Sequence, residues 1–156
     1  MSLAICTFIT WLVIIVLSLI SKKLSEIEMV FVYFVNTIFE IIIFAILNTN
    51  LNWIEVNHNV EKAFADLVLR FFMVPLVFVI TANILMYSWK YLKWIIIFTI
   101  ILSFLLMQAL LSKLGILCTH NWNVIYTLVL FSIFALFSSL MAWFIRNVDG
   151  KDVSEN

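Results

Sequence analysis

A few polar residues stand in places where apolar ones would be expected. Glu40 lies inside the apolar stretch from Met29 to Leu47, Asp66 and Arg70 lie four residues apart near the start of another, and Gln108 lies within a third. Asn36 is one helical turn before Glu40. A charged side chain at the middle of an apolar helix costs about 2.5–3.5 kcal/mol on insertion scales, so such residues are retained for a reason. Acids, a base and amides at these spacings suit two purposes. One is a site for an ion, a proton or a small polar substrate. The other, and the stronger reading, is a buried network that fixes which helices pair. A third reading lets Arg70 snorkel outward to lipid headgroups.

The spacing gives these residues a common depth. Glu40 is seven residues before Leu47, about 10 Å along a helix, and Arg70 is six residues past Phe64, about 9 Å. If the two stretches are antiparallel neighbours joined by one loop, both side chains lie at the same level. Asp66 precedes Arg70 by four, which places acid and base on one helix face in the favourable order. The expected cluster is therefore Glu40, Asp66, Arg70 and Gln108, with Asn36 extending it inward.

The elements that must position them follow from composition. The chain has 156 residues, 65% of them hydrophobic and 12% charged, with a mean hydropathy of +1.17. Soluble domains carry about 45–50% apolar and about 25% charged residues, and a chain this short cannot bury the excess within itself. Lipid must supply the remaining cover. In hydrocarbon every backbone polar group needs an internal partner, which leaves helices or closed barrels. Runs such as Ile95-Ile96-Ile97-Phe98 lack the alternation of a barrel strand. The expected architecture is an all-α transmembrane bundle with five spans, about 3–20, 29–47, 64–88, 94–111 and 123–145. It forms a single domain, 1–145, with a short polar cytoplasmic tail, 146–156.

The positive charge of Lys22-Lys23 follows the first apolar run rather than preceding it, which is the reverse of a cleaved signal peptide. Lys22, Lys23, Lys90, Lys93, Arg146 and Lys151 fall on one side of a five-span plan, and Lys62 and Lys113 on the other, joined by Arg70 if it is counted outside the bilayer. The positive-inside bias then predicts a multi-pass plasma-membrane protein with its N-terminus outside and its C-terminus cytoplasmic. Trp89, Tyr91, Trp94 and Trp143 near one interface, and Trp53, Trp122 and Tyr126 near the other, fit the aromatic belts of such a plan. The Asn-rich loop 48–62 reads equally as an interfacial helix or a plain polar loop. Pro75 is expected to kink the third span, and Asn83 to hydrogen-bond a neighbour within the packing. Ser138-Ser139 with Ala135 and Ala142 form a small-residue face suited to packing within the bundle or to dimerisation.

Other chemistry finds little support. His58 and His120 have no metal-ligand spacing with Glu55, Glu61 or Cys118, and no Cys-x-x-Cys is present. Cys6 and Cys118 fall on the same side, where a disulfide is geometrically allowed but not expected. Two glycines, Gly115 and Gly150, leave no phosphate loop, and no nucleophile elbow or zinc-protease helix occurs. Zero formal charge gives no field for nucleic acid. No cofactor and no metal are expected, and the expected partners are the lipid bilayer and a membrane-protein partner or further copies of the chain.

The first span closed by Lys22-Lys23, the Trp-containing loop after the second span, the acid early in the third, Pro75 within it and the Tyr87…Lys90…Lys93 exit together resemble a loose group of small, uncharacterised five-span membrane proteins of Gram-positive spore-forming bacteria. The resemblance covers most of the chain and rests on composition and order. It implies a bacterial plasma membrane and carries over no activity. From the residues, the leading expectation is a non-enzymatic accessory or scaffold component acting through helix contacts. The alternatives are a small oligomeric transporter or channel using the polar cluster, and a membrane-embedded enzyme.

Overall fold

Five helices long and apolar enough to cross a membrane make up the computed structural model, which describes residues 1–57, 59–88, 91–119 and 123–152. Helix α1 spans Ser2–Leu19 and α2 spans Glu26–Ala45, extended by a π-helical turn Ile46–Asn50. The third span is α3, Val60–Val68, and α4, Val74–Leu85, joined without a break by a π turn, Leu69–Met73. Helix α5 covers Leu92–Lys113 and α6 covers Val124–Asp152. The predicted all-α five-span bundle is the observed one. The segment read as a polar tail continues α6 as helix to Asp152.

The ends of the spans have identifiable causes. Ser25 caps α2 by accepting from the Glu28 N–H, and the Glu28 carboxylate accepts from the Ser25 N–H. This reciprocal capping box starts the helix three residues before its apolar run. Asn59 caps α3 through the Glu61 N–H, so the third span likewise begins earlier than hydropathy alone suggests. At the end of α5, Gly115 takes a left-handed φ of +63°. Its N–H reaches Ser112 O and that of Ile116 reaches Leu111 O, the double closure for which glycine is favoured.

The third span is the core of the bundle. Of its most apolar window 56% is buried, against 11–22% for the other four spans, whose outward faces are apolar and exposed. Helix α1 packs on α3, α2 packs on α4 and α6, and α4 also touches α1, α5 and α6. A set of phenylalanines fills the centre, with Phe78 stacked on Phe104, Phe131 and Phe134. Ser138, Ala135 and Ala142 are buried within the bundle, so the small-residue face of α6 serves internal packing.

One end of the bundle carries structure beyond helices. Strand β1, Ile54–Val56, pairs antiparallel with β2, Leu117–Thr119, in the register Ile54 with Thr119 and Val56 with Leu117. The Asn-rich stretch is thus neither an interfacial helix nor a plain loop. Asn57 extends the ribbon, its N–H donating to Ile116 O and its side chain to Gly115 O. We call this the ribbon end; the opposite end holds the Ser21–Ser25 turn.

At Pro75 the expected disturbance takes a specific form. Proline has no N–H, so the Phe71 carbonyl one turn earlier loses its α-helical donor. The π turn Leu69–Met73 lies immediately before it, and Tyr33 of α2 donates its hydroxyl to that carbonyl at 2.7 Å. The neighbouring helix thereby supplies the hydrogen bond that the proline removed.

Candidate functional site

Arg70 is the centre of the polar cluster. Its Nε donates to Asp66 Oδ2 at 2.7 Å, one turn back on the same helix, and its Nη1 donates to Glu40 Oε1 of α2 at 2.8 Å. The guanidinium also lies over the Phe44 ring, 3.5 Å from its centroid. Phe44 follows Glu40 by four residues, so one face of α2 offers a carboxylate and an aromatic plane together. All three charged side chains are largely buried. Arg70 therefore does not snorkel; it is held between two helices. A planar guanidinium suits this position because it can donate along two edges while presenting its face to a ring.

The depth arithmetic holds for Glu40 and Arg70, which meet directly. Asp66 meets Arg70 at the predicted i, i+4 spacing. Gln108 makes no bond to the triad and pairs with Thr127 of α6, whose hydroxyl donates to Gln108 Oε1. Both nevertheless line the same cavity of about 100 Å³ as Glu40, Asp66 and Arg70. The cavity is otherwise walled by apolar side chains, among them Phe104, Met107, Leu130 and Phe131, and Ile54 and Leu117 of the ribbon bound it as well.

Asn36 belongs to a different site. Its Nδ2 donates to Val32 O and to Ser138 Oγ, both at 2.9 Å, and Ser138 passes the chain on to Phe78 O at 3.0 Å. The link joins α2, α6 and α4. Asn36 Oδ1 is buried and accepts no hydrogen bond among the described residues.

Two groups have more importance than the sequence suggested. Asn83 accepts from the N–H groups of Lys23 and Leu24, at 2.7 and 3.2 Å, and donates to Ser21 O at 3.0 Å. It ties down the α1–α2 turn from the end of α4, and the Tyr87 hydroxyl donates a second hydrogen bond to Ser21 O. Thr127 was not foreseen, although a buried threonine near the start of an apolar helix facing a glutamine is a chemically sensible pair. The signal would have been Gln108 itself, which needs a partner somewhere at its depth.

Among the described residues no three His, Cys, Asp or Glu converge as metal ligands. His58, His120, Trp89, Trp122 and Lys90, which entered the metal, belt and orientation arguments, lie outside the described residues, as does the Cys118 side chain on which a bridge to Cys6 would depend. No protein-family model, curated protein or solved structure matches the chain.

Proposed function

We propose that this chain is a non-enzymatic accessory or scaffold component of a bacterial plasma membrane. In this reading the N-terminus is outside, the ribbon end faces out, and the protein works through helix contacts in the membrane plane. The observation that carries it is a long lateral groove of about 530 Å³. Helices α1 and α5 form its walls without packing backbone to backbone, and α4 forms its floor. Val13 and Val16 line one side, Ile80 and Ile84 the floor, and Ile100 and Leu106 the other side. Meanwhile the intramembrane side chains Glu40, Arg70, Asn36 and Ser138 join this chain's own helices. The bundle is thus fixed internally and open apolar on one side, which suits reception of a partner's helix.

Purification in mild detergent from native membranes tests this. Wild-type protein should retain a stoichiometric membrane partner, and Leu12→Trp with Leu106→Trp, which fill the groove mouth, should release it at unchanged abundance. Recovery of the chain without any protein partner would overturn the reading. Orientation is tested separately by replacing Cys6 and Cys118 with alanine and labelling single cysteines placed at Ser21 and Asn52 with an impermeant reagent. Labelling in intact cells is expected at residue 52 alone.

A second reading has its own observation, the cavity beside Glu40 and Arg70. A small transporter or channel built as an oligomer would use it along its path. Glu40→Gln should then leave the protein abundant and abolish transport.

A further inference from the structure

The cavity carries a charge that the helices do not balance. With both carboxyls ionised, Glu40 and Asp66 place two negative charges on its wall and Arg70 one positive charge, while Gln108 and Thr127 are neutral. The net charge is −1. Each carboxylate also has an oxygen left over. Arg70 engages Glu40 Oε1 and Asp66 Oδ2, and Glu40 Oε2 and Asp66 Oδ1 accept no hydrogen bond from the described residues. Both residues are more than nine-tenths buried, at 7% and 4% exposure. Leaving a negative charge uncompensated in such surroundings is costly, so either a proton on one carboxyl or a cationic partner is favoured there, and a cation that fits the cavity competes with the proton.

Size and wall chemistry narrow the partner. A dry cavity of about 150 Å³ accepts benzene, so about 100 Å³ has room for roughly four or five heavy atoms. Most of the wall is apolar. A hard metal ion such as Ca2+ or Mg2+ takes six or more oxygen ligands, more than Arg70 leaves free on the side chains of this wall. A primary ammonium has three donors and no acceptor. The two free carboxylate oxygens and the second lone pair of Gln108 Oε1 match that number, and Phe104, Leu130 and Phe131 suit a short hydrocarbon body.

We propose that this cavity binds a short primary alkylammonium, its cationic head at Glu40 and Asp66 and its alkyl part toward α5 and α6. The proposal does not depend on the accessory reading, which concerns the groove between α1 and α5.

The test is calorimetric titration and thermal unfolding of the full chain in detergent, at constant ionic strength and pH 7.5. n-Propylammonium and n-butylammonium should bind saturably and raise Tm, while 1-propanol, propionate and sodium should do neither. Glu40→Gln should lose the saturable binding. Should that variant not fold, Leu130→Trp decides, because it fills the cavity from the α6 side and leaves the triad in place; it should stay folded and lose binding. An equal response to 1-propanol would show a merely hydrophobic cavity, one to propionate recognition by Arg70, and one to sodium an ion site. Any of these, absence of saturable alkylammonium binding, or binding that survives in Leu130→Trp overturns the proposal.

Discussion

The third span holds its neighbours by different chemistry at its two ends. Toward the ribbon, Asp66 and Arg70 bind α2 through Glu40 with charge, at about 2.7–2.8 Å, and leave a cavity with carboxylate oxygens to spare. Toward the opposite end, Asn83 uses a neutral amide to hold the turn between α1 and α2. The amide site has its carbonyl oxygen and one N–H engaged and serves as a cap delivered from another helix. The charged site is bonded but, with both carboxyls ionised, not balanced. A neutral network can be completed by backbone groups, which every turn provides. A charged network needs a counter-charge, and here the count of ionisable groups falls one short.

The largest expected effect is at the charged end. Arg70→Met leaves two carboxylates buried without a partner and should lower stability by about 3–5 kcal/mol, read as loss of folded protein in a detergent unfolding titration. Exchanging the pair, Glu40→Arg with Arg70→Glu, should recover part of the yield. If Arg70→Met unfolded like the wild type, charge would not be what joins α2 to α3.

At the other end, Asn83→Leu strands two N–H groups and weakens the cover of one carbonyl. A cost of about 2–3 kcal/mol is expected, with faster hydrogen exchange confined to the Ser21–Ser25 turn. Exchange that rose equally around Arg70 would mean that the two ends are not separate units.

Tyr33→Phe should cost about 1 kcal/mol by removing the hydroxyl donor from the Phe71 carbonyl. Pro75→Ala in the same chain should return much of it, because residue 75 would regain an N–H for that carbonyl. Thermal unfolding of the two single variants and the double measures the coupling; strict additivity would remove Tyr33 from this role. Smallest of all is the Asn36–Ser138 link, where a cycle of Asn36→Leu and Ser138→Ala should give a coupling of about 0.6 kcal/mol, typical of hydrogen bonds between membrane helices.

Much of the site was readable in the chain because helices convert spacing into position. Glu40, Asp66 and Arg70 came together since 1.5 Å per residue and antiparallel spans leave little freedom. Gln108 could be placed at the right level but not assigned its partner, because depth says nothing about rotation around the helix axis. Asn36 shows another limit: it shares the face of Glu40 on α2, but one turn further from the ribbon that face meets Ser138 of α6, because the neighbouring helix changes along the span. Ser25 and Glu28 have the types and spacing of a capping box, but the apolar run alone sets the second span at Met29; the box moves the start of α2 to Glu26.

By itself, then, the sequence determined the number of spans, their order and the level of each polar residue, since lipid imposes length and apolarity on every crossing segment. Tertiary structure decided the rest. The ribbon pairs two three-residue strands about sixty residues apart, too short to carry a period of their own. The hydroxyl of Tyr33 answers a proline on another helix, and Asn83 caps a turn that it reaches only across the bundle. These contacts depend on helix rotation and neighbour choice, and packing against the buried third span fixes both.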